Sequence, residues 1–415
     1  MTSESSFHIS SLIREDQVNV PAIDGRSPDY VLSPCSEEEF TEAVAWARRT
    51  KCALVPIGGA TEVAQGNPLR CGAWSAVCTT SWAGIVDYSP EDLVITVRAG
   101  TTLQDLQNAL QPHNQMLPFD PPFPGRATIG GITATNAQGL WRSLFGLPRD
   151  RLLGLRFVTG DGRIVKAGGK VVKNVAGYDV GKVMAGSWGT LGIITEVTYK
   201  TQPLPQARLA LVAGGGDIAS LLEAAQALYR ERLEPAYAVV RLVPEARLMI
   251  GLMGNRNRCA WQASAIRDLL AKMGISADVR PDDGAAALED EVRHAGAECC
   301  AALRVITAPS DLVSLYSQSA PVICRRAQAA NVYAATGITD LFFGSTDAAV
   351  EVAAALHNAL PTAGRIVWQK MPPNFAVVDA WGSAGDAGAF RLMGKLKDAL
   401  DPDGILCPGR FVGRL

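Results

Sequence analysis

Backbone chemistry, more than side-chain chemistry, is written into this chain. The segment PIGGAT follows an apolar run and puts Pro56, Ile57, Gly58, Gly59, Ala60 and Thr61 into one loop. Consecutive main-chain N–H groups in such a loop form a concave donor set that holds phosphate oxygens without a cationic side chain. Each hydrogen bond to a charged acceptor contributes about 1.5–3 kcal/mol. A second segment, ATIGGITATNAQG, contributes Thr128, Ile129, Gly130, Gly131, Ala134, Thr135, Asn136 and Gly139. Gly130 and Gly131 allow close backbone approach, while Thr128, Thr135 and Asn136 offer hydrogen-bonding side chains. Such sites, crowded between Gly125 and Pro205, imply backbone wrapped around a large, flat, phosphorylated ligand. A valine at Gly130 is expected to expel that ligand by steric clash without unfolding the chain.

Other phosphate and metal motifs are excluded by their context. The glycines of GSWGTLGIITEV precede a strand, whereas a dinucleotide fingerprint follows a strand and opens a helix. GGKVV has Val171 where a nucleotide-binding phosphate loop needs Ser or Thr. The nine cysteines include no C-x-x-C, so no iron–sulfur cluster or disulfide framework is expected. No His/Asp metal cluster is evident. His294 reads as an exposed helix residue and Arg325 and Arg326 as a solvated strand end. In KNVAGYD, Lys173 and Tyr178 suit a ligand contact as well as a turn in which Asp179 starts a helix. No catalytic residue is assigned.

The elements that must hold these loops alternate. A helix is expected from Ser36, with a capping box to Glu39 and a stripe of Phe40, Val44 and Ala47. The strand Ala53–Pro56 follows, then LVITVRAG and a helix from Thr101 or Thr102 carrying Leu103, Leu106 and Leu110. Pro203 and Pro205 mark a boundary. Beyond it the order β-α-β-β-α-β is read twice, which predicts an antiparallel sheet covered by helices and built from two related halves. The division is therefore a lead-in over 1–27, a ligand-binding domain over 28–205, a cap domain over 206–395 and a closing segment over 396–415.

At 415 residues, 48% hydrophobic and 19% charged, the chain has the composition of a globular protein. A net charge of −2 offers nothing to nucleic acid or to an anionic membrane surface. No apolar run is long enough to span a bilayer and the N-terminus does not read as an export signal. A cytoplasmic location is expected, with any membrane association through partners.

The glycine pattern of 125–205, with KNVAGYD and GSWGTLGIITEV, resembles the FAD-binding domain of the vanillyl-alcohol oxidase/PCMH flavoprotein family, and within it the flavin-binding subunits of glycolate oxidase. LKDALDPDGILCPGR extends the likeness to the C-terminus. The resemblance implies an α+β fold, with a PCMH-type domain of two α+β subdomains plus an antiparallel-sheet cap. It implies FAD beside the loop 56–61, the 128–139 segment and the backbone of Gly192, Ile193 and Ile194. No His or Cys stands at an attachment position, so the FAD is expected to be non-covalent. Ile57 replaces the family's usual basic residue and Ala60 its third glycine. The implied partners are a larger catalytic flavin subunit and an iron–sulfur subunit, and the implied substrate is a small 2-hydroxy acid. The H-x-G-D-G-N motif of the larger relatives is missing. Two alternatives therefore stay open: a self-sufficient hydroxy-acid dehydrogenase and a flavin-fold assembly subunit.

Overall fold

Ser36 ends an extended segment and starts a helix. Its hydroxyl accepts the N–H of Glu39 at 3.2 Å, and the Glu39 carboxylate accepts the N–H of Cys35 at 2.6 Å. The reciprocal bond thus reaches one residue before the cap. In the computed structural model, which describes residues 9, 12–13, 20–169, 179–371, 378–382 and 385–415, this helix is α1 (Glu37–Thr50). Phe40, Val44 and Ala47 are fully buried against a parallel sheet of β1 (Val31–Leu32), β2 (Ala53–Ile57) and β3 (Trp74–Cys78), in the order β1-β3-β2.

The second subdomain begins with β4 (Ile85–Ser89), β5 (Val94–Arg98), α2 (Leu103–Leu110) and β6 (Gln115–Met116). Thr102 caps α2 by accepting the N–H of Asp105, and Leu103, Leu106 and Leu110 are buried as the spacing predicts. Next come α3 (Ile129–Thr135), α4 (Arg142–Phe145), α5 (Pro148–Arg151), β7 (Leu152–Val158), β8 (Ile164–Gly168), α6 (Val180–Met184), β9 (Ile193–Lys200) and β10 (Gln202–Pro203). An antiparallel sheet runs β4-β5-β9-β7-β8, and β10 pairs with β6. Ile95, Val97, Phe157, Val197 and Tyr199 of this sheet pack on Leu106, Ile129 and Ile132 of α2 and α3.

Glu37 joins the two subdomains. Its carboxylate accepts Nε of Arg156 and Oγ1 of Thr195, each at 2.9 Å, and Nη2 of Arg156 completes the fork. Burial pushes this carboxyl up, but the bonds from Arg156 and Thr195 outweigh it and hold it below the ordinary carboxylate range. A depressed folded-state pKa stabilises the fold above the unfolded value, and that stability is lost as pH falls through the folded value. We expect Glu37→Gln to lose about 1–3 kcal/mol at neutral pH and to show a shallower loss on acidification. Urea titrations at neutral and mildly acidic pH read both effects. An unchanged acid limb overturns the assignment.

The cap opens with β11 (Ala207–Gly214), α7 (Ile218–Arg230), β12 (Tyr237–Val243), β13 (Arg247–Gly254), α8 (Arg256–Lys272), β14 (Ser276–Arg280) and α9 (Asp282–Arg293). It continues with β15 (Ala301–Ile306), α10 (Leu312–Arg326), β16 (Ala329–Tyr333), β17 (Ile338–Phe343), α11 (Thr346–Ala359) and β18 (Arg365–Lys370). One antiparallel sheet runs β14-β11-β13-β12-β16-β17-β15-β18. Each half has the same internal order, counted outward from its second strand, and the halves meet where β12 pairs with β16. The repeat read in the sequence is thus present in the topology. The helix α9, packed on β11, stands outside the repeated order read in the sequence, which placed only His294 on a helix there.

After α12 (Ala387–Leu400) the chain returns to the first subdomain. Leu406 bridges in parallel to Leu54, and N–H of Cys407 donates to O of Leu54 at 2.9 Å. The lead-in also packs: Leu12 is fully buried and its carbonyl accepts N–H of Ser33 at 2.8 Å. Its single apolar contact was too short to give a period in the sequence.

Candidate flavin cleft and the adjoining charged cavity

A cleft lies between β2, the start of α3, the turn before β9 and the C-terminal tail. Its wall contains Pro56, Ile57, Gly58, Gly59, Ala60 and Thr61, then Thr128, Gly130, Gly131, Ala134 and Thr135, and finally Gly192 and Ile194. Ile129 and Ile193 lie in the hydrophobic core behind it. Asn136 and Gly139 face a neighbouring cavity instead. Asn136 is the left-handed C-cap of α3, and its Oδ1 accepts N–H of Arg149 at 3.0 Å.

The glycines have divided roles. A Cβ at Gly58 would stand 2.1 Å from Oγ1 of Thr128, and one at Gly59 only 1.7 Å from the carbonyl of Arg126. These glycines let the 56–61 loop lie against the segment leading into α3. A Cβ at Gly130 would meet Cβ of Ala99 at 2.6 Å, on the core side of the helix. The sequence expectation for Gly130 is therefore corrected: valine there disturbs the packing of α3 on Ala99 before it reaches any ligand. Gly131 is the position that opens into the cleft, where a Cβ meets only Oγ1 of Thr128, at 3.1 Å. Gly139 gives way to Asp120, whose carbonyl would be 2.3 Å from an added Cβ.

The cleft suits a phosphorylated cofactor. Among the described residues, no hydrogen bond occupies the N–H groups of Gly58, Gly59, Ala60 or Thr61. These residues are half-buried and line the cleft, so the run is a donor set open to an acceptor from outside the chain. Ala60 holds the left-handed conformation, with φ +56°, that a glycine would adopt more cheaply. The N–H groups opening α3 are satisfied internally: Ile129 by Thr101, Gly130 by Ala99 and Gly131 by Thr128 Oγ1. Arg410 is the sole Lys or Arg in the cleft wall among the described residues. Its Nη2 donates to the carbonyls of Val63, at 2.7 Å, and Gln65. Opposite, Trp188 and Trp381 meet edge to face at 4.9 Å, and Nε1 of Trp381 donates to the carbonyl of Arg410 at 2.9 Å.

The neighbouring cavity lies under the cap sheet. The two spaces share Thr61, Glu62, Gln65, Thr135, Ala137, Trp188 and Trp381 as common wall. Its floor carries Arg304 on β15, held by the Asp340 carboxylate of β17 through Nε at 2.7 Å and Nη2 at 2.8 Å. Tyr333, Arg142, Arg365, Gln369 and Lys370 face the same space. Burial pushes the Glu62 carboxyl up to about 7, against the pull of Arg304. Asp120 is likewise raised to about 7 by burial, although it accepts the N–H groups of Leu140 and Trp141.

These charged residues were not singled out in the sequence as a site. A signal existed for two of them: Arg304 and Asp340 interrupt otherwise apolar strands, AALRVI and ITDLFF, and are direct cross-strand partners. Arg325 and Arg326, read in the sequence as a solvated strand end, instead close the helix α10 and pair with Glu351 of α11, and His294 caps α9 beside Phe123. Lys370 lines the cavity, whereas Asp379 ties Asn67 to Gly413. Asp179 does cap a helix, α6, by accepting N–H of Lys182. Lys173, Asn174 and Tyr178 lie outside the described residues.

Residues 28–168 match the family model of the FAD binding domain. Over 92% of its length the chain shares the fold of p-cresol methylhydroxylase, which superimposes with a TM-score of 0.73 at 15% identity over 88% of that chain. The protein thus carries an FAD-binding domain in the α+β fold of the vanillyl-alcohol oxidase/PCMH type. In sequence it is similar to glycolate oxidase subunit GlcE of Escherichia coli strain K12, at 40% identity over 183 residues, 44% of this chain and 51% of the relative. It is also similar to the mitochondrial D-lactate dehydrogenase [cytochrome] of Arabidopsis thaliana, at 34% identity over 179 residues, 43% of this chain and 31% of the relative. The chain spans about half or less of the length of these curated relatives. Among the described residues, no helix is long and apolar enough to cross a membrane.

Proposed function

We propose that this chain binds FAD without a covalent link and serves as the flavin-binding subunit of a glycolate (2-hydroxy acid) oxidase complex. The observation that carries the reading is the run of unengaged N–H groups at Gly58–Thr61 inside a domain that matches the FAD binding family. On this reading, residues 28–205 with the tail 396–415 form the flavin unit and 206–395 the cap. The 58–61 amides and Arg410 hold the pyrophosphate, and Gly131, Thr135, Gly192 and Ile194 line the path of the remainder. Trp188 and Trp381 keep water from the junction with the cap. FAD, when bound, accepts a hydride from substrate carbon. The similarity to a glycolate oxidase subunit supports assembly with other subunits, and on this reading these are a larger flavin subunit and an iron–sulfur subunit, which pass the electrons onward.

Titrating FAD into the flavin-free chain tests the first part. One FAD per chain, with its fluorescence changed on binding, is expected. A folded chain that takes up no flavin makes this an assembly subunit instead. Co-expression with the two partner subunits tests the second part: the chain should co-purify with both. A chain that elutes alone, FAD bound, overturns the complex and leaves the cofactor reading standing.

A further inference from the structure

Part of the cleft wall comes from outside the matched domain. Ile23 stands in it, although the family match begins at residue 28. Its side chain is buried in the apolar cluster of Val55, Ile57 and Cys407, and Val20 packs against the same cluster. The chain reverses directly after Ile23. Asp24 and Gly25 both hold the left-handed conformation, with φ +54° and +76°. Ile23 and Arg26 each donate their N–H to the other's carbonyl, at 3.0 Å. This is the two-residue hairpin turn that favours Asp-Gly.

Side chains fasten the turn to its surroundings. The Asp24 carboxylate accepts N–H of Leu69 at 2.9 Å. The Arg26 guanidinium donates to the carbonyl of Leu69 at 3.2 Å and to that of Cys71 at 2.8 Å. Oδ2 of Asp24 also lies 4.0 Å from Nη1 of Arg410, the cleft's cation. Burial works against the charge of Arg410, and Asp24 leads the groups that restore it. Among the described residues, no backbone-to-backbone hydrogen bond ties residues 20–26 to the rest of the chain. A segment held this way opens locally at a cost well below that of global unfolding.

We infer that residues 20–26 form a strap over the flavin cleft: Ile23 touches the bound cofactor, and the grip of Asp24 and Arg26 on Leu69 and Cys71 sets how fast FAD leaves. The inference rests on the proposed flavin site. Ile23 and Asp24 give it its physical basis, since one turn brings an apolar side chain into the wall and a carboxylate to the cleft's arginine. FAD lying against Ile23 adds contacts that the strap lacks when the cleft is empty. Retention of the cofactor and closure of the strap then stabilise one another.

Hydrogen exchange on the full parent chain tests this without a substitution. Adding FAD should slow exchange of the amides of Ile23, Arg26 and Leu69 about tenfold or more. Arg26→Met should release FAD about tenfold faster, read from the return of free flavin fluorescence on dilution, with the urea midpoint of the flavin-free chain unchanged. Arg26→Lys, which keeps a cationic donor, should fall between. If Arg26→Met does not fold, Arg26→Lys and the exchange on the parent decide. A parent that binds FAD while those three amides exchange as before overturns the strap and leaves the flavin reading intact. Release of FAD from folded Arg26→Met at the parent's rate overturns it as well. A parent that takes up no FAD removes the flavin reading and the strap together.

Discussion

Gly131→Val will abolish retention of FAD while leaving the fold in place. Gly131 sits in the first turn of α3 and lines the cleft. A Cβ there meets only Oγ1 of Thr128, at 3.1 Å, so the isopropyl group has nowhere to go but the cleft. Valine is no worse a helix former than the glycine it replaces, and the change adds nothing to the core. The expected result is more than a hundredfold weaker flavin binding, which corresponds to about 3 kcal/mol, with an unaltered urea midpoint. Gly130→Val is the internal control. Its Cβ lies 2.6 Å from Cβ of Ala99, and overpacking of this kind costs about 1–3 kcal/mol of stability. One neighbour should therefore report on the ligand and the other on the fold. If Gly131→Val copurifies with a full complement of FAD, the cofactor does not run past α3 and the cleft assignment falls.

Asp401→Ala will give the largest loss of stability. Its side chain is fully buried and receives Nζ of Lys397 at 2.6 Å, N–H of Ile405 at 3.1 Å and N–H of Leu406 at 2.9 Å. Nζ of Lys397 also donates to the carbonyls of Thr190 and Leu406, at 2.8 and 2.7 Å. Removing the carboxylate leaves a nearly buried ammonium without its counter-charge and two amides without an acceptor. Breaking a buried pair from one side costs about 3–5 kcal/mol. The consequence reaches the cofactor, because this knot docks the tail that carries Cys407 and Arg410 into the cleft wall. Thermal unfolding followed with and without FAD should show a lower midpoint and a smaller rise on adding FAD. Asp401→Asn, which keeps an acceptor but not the charge, should fall between. A midpoint within error of the parent removes the knot from the account.

The first subdomain and the cap were legible for different reasons. Caps at Ser36 and Thr102, and the stripes Phe40–Val44–Ala47 and Leu103–Leu106–Leu110, depend on bonds and spacings within a few residues, and these are recorded directly in sequence. The doubled β-α-β-β-α-β order was readable because most of its strands are short, apolar and bounded by turns. The family pattern placed most of the cleft wall for the same reason: it is made of contiguous loops.

The remainder depended on long-range packing. Which face of a glycine is crowded is set by the segment lying across it, so Gly130 and Gly131 are indistinguishable in the sequence yet face Ala99 and the cleft respectively. The cleft's arginine comes from position 410, more than three hundred residues beyond the loop at 56–61. The charged cavity gathers Glu62 from a loop, Arg142 from a short helix and Arg304 and Asp340 from neighbouring strands. Sequence alone determined the alternation of elements and the loops that line the cleft, since both follow from local conformation, and the fold class came through the resemblance those loops carry. Only the tertiary structure decided which charges share a space, since a field is a property of distance and burial and not of order along the chain.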